Sequence, residues 1–76
     1  MPRLPRTSSG KVVAALERLG FTRMRTKGSH LVMQRADSAG KRQVCVVPLH
    51  DDIAVGTLRS VLRQAGVDPD EFIRVL

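Results

Sequence analysis

The feature that most constrains this chain is a double change in the spacing of its apolar residues. Helical spacing near the start gives way to strand-like segments, and helical spacing returns after residue 55. The first helical stripe comprises Val12, Val13, Ala15, Leu16 and Leu19, and the second comprises Leu58, Val61, Leu62 and Ala65. Because 76 residues provide for one core, the pattern predicts a small single α+β domain over residues 1–76.

Capping signals set the expected ends of the helices. Gly20 and Gly66 each follow an apolar stripe and are typical helix stops. The predicted N-caps are Ser8 or Ser9 for a helix near residues 9–19, Thr57 for the second helix, and Asp68 for a short C-terminal helix. Residues 1–7 show no periodicity and are expected to form a loosely ordered lead-in.

Three segments between the helices predict an antiparallel meander. Residues 21–26 and 30–35 flank Lys27-Gly28 as a hairpin with a two-residue turn, and residues 42–48 form the third strand. This turn places Arg25 opposite His30. Alternation then predicts a helix-facing side with Met24, Leu31 and Met33, and a solvent-facing side with Arg23, Arg25, His30 and Gln34.

The net charge of +6 is concentrated in the first fifty residues. Residues 1–50 contain ten Lys or Arg and two acidic residues, whereas residues 51–76 contain three Lys or Arg and five acidic residues. Such a basic segment attracts polyanions, and the lack of a strongly amphipathic basic helix favours nucleic acid over a membrane. Arginine predominates among the cations, which suits bidentate binding of phosphate. The shortage of aromatic residues disfavours stacking on single-stranded bases.

Cys45 is the only cysteine, so the sequence excludes an internal disulfide and a cysteine-based zinc site. Its apolar strand context predicts a buried, reduced thiol. We also find no apolar run long enough for a signal peptide or a membrane span. These observations predict a cytoplasmic protein.

Two histidines are the candidates for acid–base chemistry. His30 follows the turn signal, and its imidazole can take and give a proton near neutral pH; a surface histidine without a catalytic role would fit the same position. His50 precedes Asp51-Asp52 and is either a loop-ordering residue or a second proton donor, since adjacent residues rarely converge on one metal ion. Ser29 is disfavoured as a nucleophile because it lacks an orienting acid.

Four segments in order resemble the HicA toxin family, and together they cover nearly the whole chain. They are Gly20-Phe21, Lys27-Gly28-Ser29-His30, Val47-Pro48-Leu49-His50, and the run from Gly56 to Gly66. The resemblance implies a fold like the double-stranded-RNA-binding domain, an mRNA-cleaving toxin of a type II toxin–antitoxin system that inhibits translation, and a HicB-type antitoxin as partner. It also implies that His30 is catalytic. The loop from Asp51 to Val55 is shorter and more acidic than the family leads us to expect.

RNA supplies its own nucleophile, so this chemistry needs neither a metal nor a cofactor. A base within reach of a 2′-hydroxyl promotes its attack on the adjacent phosphate. We expect His30 to be that base. The expected RNA contacts are Arg23, Arg25, Lys27, Gly28 and Ser29. The alternative hypothesis is a non-catalytic RNA-binding module, resembling the double-stranded-RNA-binding domain, in which His30 is one more polar contact.

Overall fold

A computed structural model describes residues 3–76 and confirms the predicted α+β class. One helix is followed by a three-stranded antiparallel sheet of order β1-β2-β3 and by two further helices. The elements are α1 Ser9–Arg18, β1 Thr22–Lys27, β2 His30–Ala36, β3 Arg42–Pro48, α2 Val55–Ala65 and α3 Pro69–Val75.

The core lies between the helices and one face of the sheet. Helix α2 packs on β3, and α1 contacts both β3 and α3. Alternate residues of β2 and β3 enter the core, namely Leu31, Met33, Cys45 and Val47. Aliphatic residues dominate the core, and both phenylalanines, Phe21 and Phe72, are buried among them. No polar or charged residue of the described chain is fully buried.

The helix ends follow the capping rules with one exception. The Ser8 hydroxyl accepts a bond of 3.4 Å from the backbone N–H of Lys11, and the Asp68 carboxylate accepts one of 2.9 Å from Asp70. The predicted cap at Thr57 is wrong. Helix α2 begins at Val55, with Ala54 as its N-cap and without a side-chain capping bond. Val55 packs against the core, so burial of its side chain favours the earlier start.

The predicted hairpin turn is displaced by one residue. Lys27 pairs with His30, so the two-residue loop is Gly28-Ser29 rather than Lys27-Gly28. Gly28 adopts a φ of 60°, a conformation that glycine reaches at low cost and that two-residue hairpins require at the first loop position. The prediction that Arg25 lies opposite His30 is therefore wrong.

A β-bulge makes the faces of β1 differ from those predicted. Arg25 pairs with Val32 and Arg23 pairs with Met33, which leaves Met24 as the extra residue. Arg25 therefore stays on the side of His30, as predicted. Arg23 moves to the helix side, and Met24 is 47% exposed instead of lying in the core. The bulge causes both changes, because the displaced turn shifts the pairing by two residues and leaves the strand faces unchanged.

Part of the predicted lead-in contacts the domain. Leu4 is buried in the core, and Thr7 forms an isolated antiparallel bridge with Ile53, whose N–H donates to the Thr7 carbonyl at 2.6 Å. The Arg6 Nε lies 2.8 Å from an Asp52 carboxylate oxygen. Met1 and Pro2 lie outside the described residues. Between residues 3 and 76, no helix has the length and apolar character needed to cross a membrane.

Cys45 is buried in the core, with 1% of its surface exposed. Burial raises the pKa of its thiol to about 11, outweighing the opposing effect of the Arg35 charge. The folded protein therefore retains the thiol proton at pH values where the unfolded chain, with an ordinary thiol pKa of about 8.5, loses it.

This difference predicts a loss of stability in alkali. The contribution of the neutral thiol is complete below about pH 8.5 and is lost as the pH rises through about 11, because the unfolded state binds fewer protons over that interval. Urea unfolding across this range should show a free energy of unfolding that falls more steeply for the wild type than for Cys45→Ala. Parallel pH profiles of the two proteins would contradict the assignment to Cys45.

Candidate functional site at the hairpin tip

Three separate segments meet at the tip of the β1–β2 hairpin. The Leu49 N–H donates to the Ser29 carbonyl at 2.7 Å, which ties the end of β3 to the loop. The Ser9 N–H donates to the His50 carbonyl at 2.9 Å, which adds the start of α1. Both histidines thus come to the same end of the sheet, although twenty residues separate them in sequence.

His30 is held by its backbone while its side chain stays exposed. It opens β2 and pairs with Lys27 on one side and Pro48 on the other. Its neighbour Leu31 points into the core, so the imidazole lies on the opposite, open face. The His30 side chain makes no hydrogen bond to another of the described residues. The ring is available to a ligand.

Two of the three cationic residues predicted on β1 lie on the same face of the sheet as His30. Lys27 is directly opposite it, and Arg25 lies in the next row of the same face, opposite Val32. The rows are about 7 Å apart, the distance of two residues along a strand. A phosphate of a bound chain can therefore reach Arg25 or Lys27 while a neighbouring group reaches His30.

Arg23 does not join this cluster. Its Nε lies 3.2 Å from a carboxylate oxygen of Glu17 on α1, which agrees with its place on the helix side of β1. The prediction of a shared face for Arg23, Arg25 and His30 is wrong for Arg23, because the bulge at Met24 reverses the alternation between the two arginines.

The open face is strongly cationic. None of the residues in the three strands is Asp or Glu. The salt bridges found within the described residues join Arg6 to Asp52 and Arg23 to Glu17, so neither Arg25 nor Lys27 is neutralised by a carboxylate. Exposed, unpaired cations attract polyanions at a range set by ionic strength.

A groove of about 340 Å³ extends this surface toward α1. It runs between the first turn of α1 and the edge strand β1, and its lining includes Ser9, Gly10, Arg23, Met24, Arg25 and Leu49. Ser9 and Gly10 were not among the residues predicted for the site. A Ser-Gly pair at the start of a helix indicates that a ligand can approach the backbone closely. Its proximity to β1, however, depends on how α1 packs against the sheet.

His50 is exposed, next to an ion pair. The hydrogen bond and charge of Asp52 raise the pKa of the Arg6 guanidinium. Within residues 3–76, no three His, Cys, Asp or Glu side chains are grouped as metal ligands. Arg59 and Arg63 line a different hollow, between α2 and α3, and are not part of the hairpin site.

One family of known proteins matches most of the chain. The search of curated proteins gave no match. A family model described as the HicA toxin of bacterial toxin–antitoxin matches residues 9–67, from the start of α1 to just beyond α2. That segment contains the whole sheet, the hairpin tip and both histidines, and it spans most of the chain. The chain therefore belongs to the HicA toxin family of bacterial toxin–antitoxin proteins.

Proposed function

We propose that this toxin is a metal-independent endoribonuclease that cleaves mRNA, with His30 as its general base, and that translation stops as a result. The observation that carries the proposal is the position of His30. An exposed imidazole on a fixed backbone stands beside Lys27 and Arg25, on a sheet without a single carboxylate. The expected similarity to double-stranded-RNA-binding domains and a cytoplasmic location accord with an RNA substrate.

The reaction begins with proton transfer to His30. A neutral imidazole nitrogen takes the proton of a ribose 2′-hydroxyl, and the 2′-oxygen forms a bond to the adjacent phosphorus. The bond from phosphorus to the 5′-oxygen of the next nucleotide breaks. The products are a 2′,3′-cyclic phosphate and a 5′-hydroxyl, whose proton comes from His50 or from water. DNA lacks the 2′-hydroxyl and is not cleaved.

Arg25 and Lys27 have an electrostatic role in this mechanism. The phosphate gains negative charge on its oxygens as the 2′-oxygen attacks, and fixed cations stabilise that charge more than they stabilise the ground state. The Gly28-Ser29 loop offers backbone groups for the same phosphate or its neighbour. Arg23 is engaged with Glu17 on the other side of β1 and is expected to contribute less than the sequence suggested.

The toxin acts together with an antitoxin, which we propose to be of the HicB type. Because the hairpin site is exposed, a protein that covers His30 or the adjacent cations is sufficient to prevent cleavage. In the competing hypothesis the domain binds RNA without cleaving it, and the groove beside α1 provides the binding surface.

We predict that His30→Gln reduces RNA cleavage by a factor on the order of 10² to 10⁴, the usual contribution of a general base. Single-turnover cleavage of an mRNA, with and without EDTA, measures this effect. His50→Gln, at the same end of the sheet, tests the proton donor: if His50 supplies the leaving-group proton, its loss slows the reaction, and if water supplies it, the rate stays near that of the wild type.

Two results would contradict the proposed mechanism, the first for the catalytic role of His30 and the second for its independence of metal ions. Cleavage by His30→Gln at the wild-type rate would favour the non-catalytic RNA-binding module, with any nuclease activity due to a contaminant. Loss of activity in EDTA would contradict the metal-independent mechanism. Growth arrest by wild type but not by His30→Gln would link the cleavage to toxicity.

The bulge at Met24 yields a separate prediction for neighbouring arginines of β1. Arg25→Gln should weaken RNA binding and flatten the plot of log affinity against log salt by about 0.7, the loss of one phosphate contact to a single strand. Arg23→Gln, two residues away, and Arg59→Gln on α2 should leave that slope nearly unchanged. Equal effects of Arg23→Gln and Arg25→Gln would contradict the assigned faces.

A further inference from the structure

The groove between α1 and β1 has apolar walls that are open to solvent. Met24 and Leu49 line it, and they are 47% and 37% exposed. Its floor includes Val13 and Leu31, which belong to the core. The groove is therefore a slot with a fixed apolar floor, and its two walls come from a strand and from the loop after β3.

Hydrogen bonds hold both walls of the slot. Met24 is the extra residue of the bulge, and the Thr22 hydroxyl donates to the Met24 Sδ at 3.6 Å. The backbone N–H of Leu49 donates to the Ser29 carbonyl at 2.7 Å. Bulges are frequent beside active sites, where they redirect a side chain. Here the bulge turns the thioether out of the core and into the lining of the groove.

Hydroxyl groups lie on both sides of the slot. Ser9 of α1 and Thr26 of β1 line it, and neither hydroxyl forms a hydrogen bond with another residue between 3 and 76. Each can both donate to and accept from a ligand. Gly10 keeps the space beside Ser9 open, because a Cβ at Gly10 would meet only the Ser8 Oγ, at 4.0 Å.

One end of the groove adjoins the cationic cluster. Leu31 of its floor follows His30 in β2, so the groove begins about 3.4 Å along the strand from the row of the imidazole. Strand β1 is at the edge of the sheet, and Arg25 lines both this groove and a hollow on the opposite face. An RNA chain can therefore pass over the outer edge of β1 with a phosphate on Arg25.

The lining favours a nucleobase over other occupants. A base has two apolar faces and a polar edge, which match the walls at Met24 and Leu49 and the free hydroxyls. Thioether sulfur also makes favourable contacts with aromatic rings. A phosphate would lose its hydration against Val13 and Leu31. The volume of about 340 Å³ is near the lower limit of about 300 Å³ for ligand pockets, so it suits a nucleoside and not a helix of a protein partner.

We propose that the groove between α1 and β1 is a base-binding subsite, in which one nucleobase next to the cleaved phosphate lies between Met24 and Leu49. Arg25 binds the adjoining phosphate at the edge of β1. The effect on cleavage rests on the proposed ribonuclease function, whereas nucleotide binding does not. Apolar pockets distinguish ligands by size only roughly 10- to 200-fold, so the subsite gives a preference at one position and not strict sequence recognition.

NMR titration of the isotope-labelled protein with nucleoside 3′-monophosphates tests the binding. We expect the nucleotides to shift the backbone amide signals of Thr26 and Leu49, and inorganic phosphate to shift only those of Arg25 and Lys27. Gly10→Leu places a side chain in the slot and should abolish the shifts at Thr26 and Leu49. Leucine forms helices more readily than glycine, and the space beside Gly10 is open, so this variant should fold.

Mapping of cleavage sites in an RNA of random sequence tests the effect on specificity. The wild type should favour some bases at one position beside the cleaved bond, and Met24→Ala should reduce that preference at least three-fold because one wall is lost. Leu76→Ala shortens an exposed apolar side chain after α3 and should keep the wild-type preference. If thermal unfolding shows that Gly10→Leu does not fold, Gly10→Ala should weaken nucleotide binding several-fold.

Several outcomes would overturn the subsite. Nucleotides and inorganic phosphate that shift the same amides would show that the groove binds phosphate. Wild-type nucleotide affinity in Gly10→Leu, or an unchanged cleavage pattern in Met24→Ala, would place the base elsewhere. Failure of the ribonuclease proposal is distinguishable: cleavage would be absent or would survive in His30→Gln, while the nucleotides would still shift the signals of Thr26 and Leu49.

Discussion

Burial of one face of the sheet is the constraint on which the rest of this structure depends. Leu31 and Met33 of β2, with Cys45 and Val47 of β3, fill the core on the helix side of the sheet. Once these side chains point toward the helices, the alternation of side chains along a strand places their neighbours on the opposite face of the sheet. His30 faces away from the helices for this reason, and so do Val32, Val44 and Val46.

The hairpin tip shows how two local irregularities act together. The Gly28-Ser29 loop shifts the pairing of β1 by two residues from the expected register, and the bulge at Met24 reduces that shift to one residue near the start of the strand. Between loop and bulge, Arg25 keeps the side of His30. Beyond the bulge, Arg23 turns to Glu17 on α1. The cationic cluster is thus defined by where the extra residue lies.

Charge is segregated in the fold as well as in the sequence. The strands carry cations without acids, while most of the acidic residues lie in the loop before α2 and around α3. Such segregation leaves one face with an uncompensated positive potential, suited to a polyanion or an acidic protein.

The sequence by itself determined the order of elements, most of their ends and the exposed position of His30. These follow from apolar spacing, from caps such as Ser8 and Asp68, and from the limits of glycine and proline, all of which act within a few residues. The family resemblance added the expectation of catalysis, which the spacing of residues does not contain. The predicted cap at Thr57 was wrong because helix α2 begins two residues earlier, at Val55, whose side chain packs against the core.

Only the tertiary structure decided which side chains share the site. The bulge fixed the relative faces of Arg23 and Arg25, since a shift of one residue reverses a strand face and no short-range rule located Met24 as the extra residue. The approach of Ser9 and His50 to the hairpin tip depends on hydrogen bonds between segments far apart in sequence. The sequence specified the local pieces, and packing against one core brought them together.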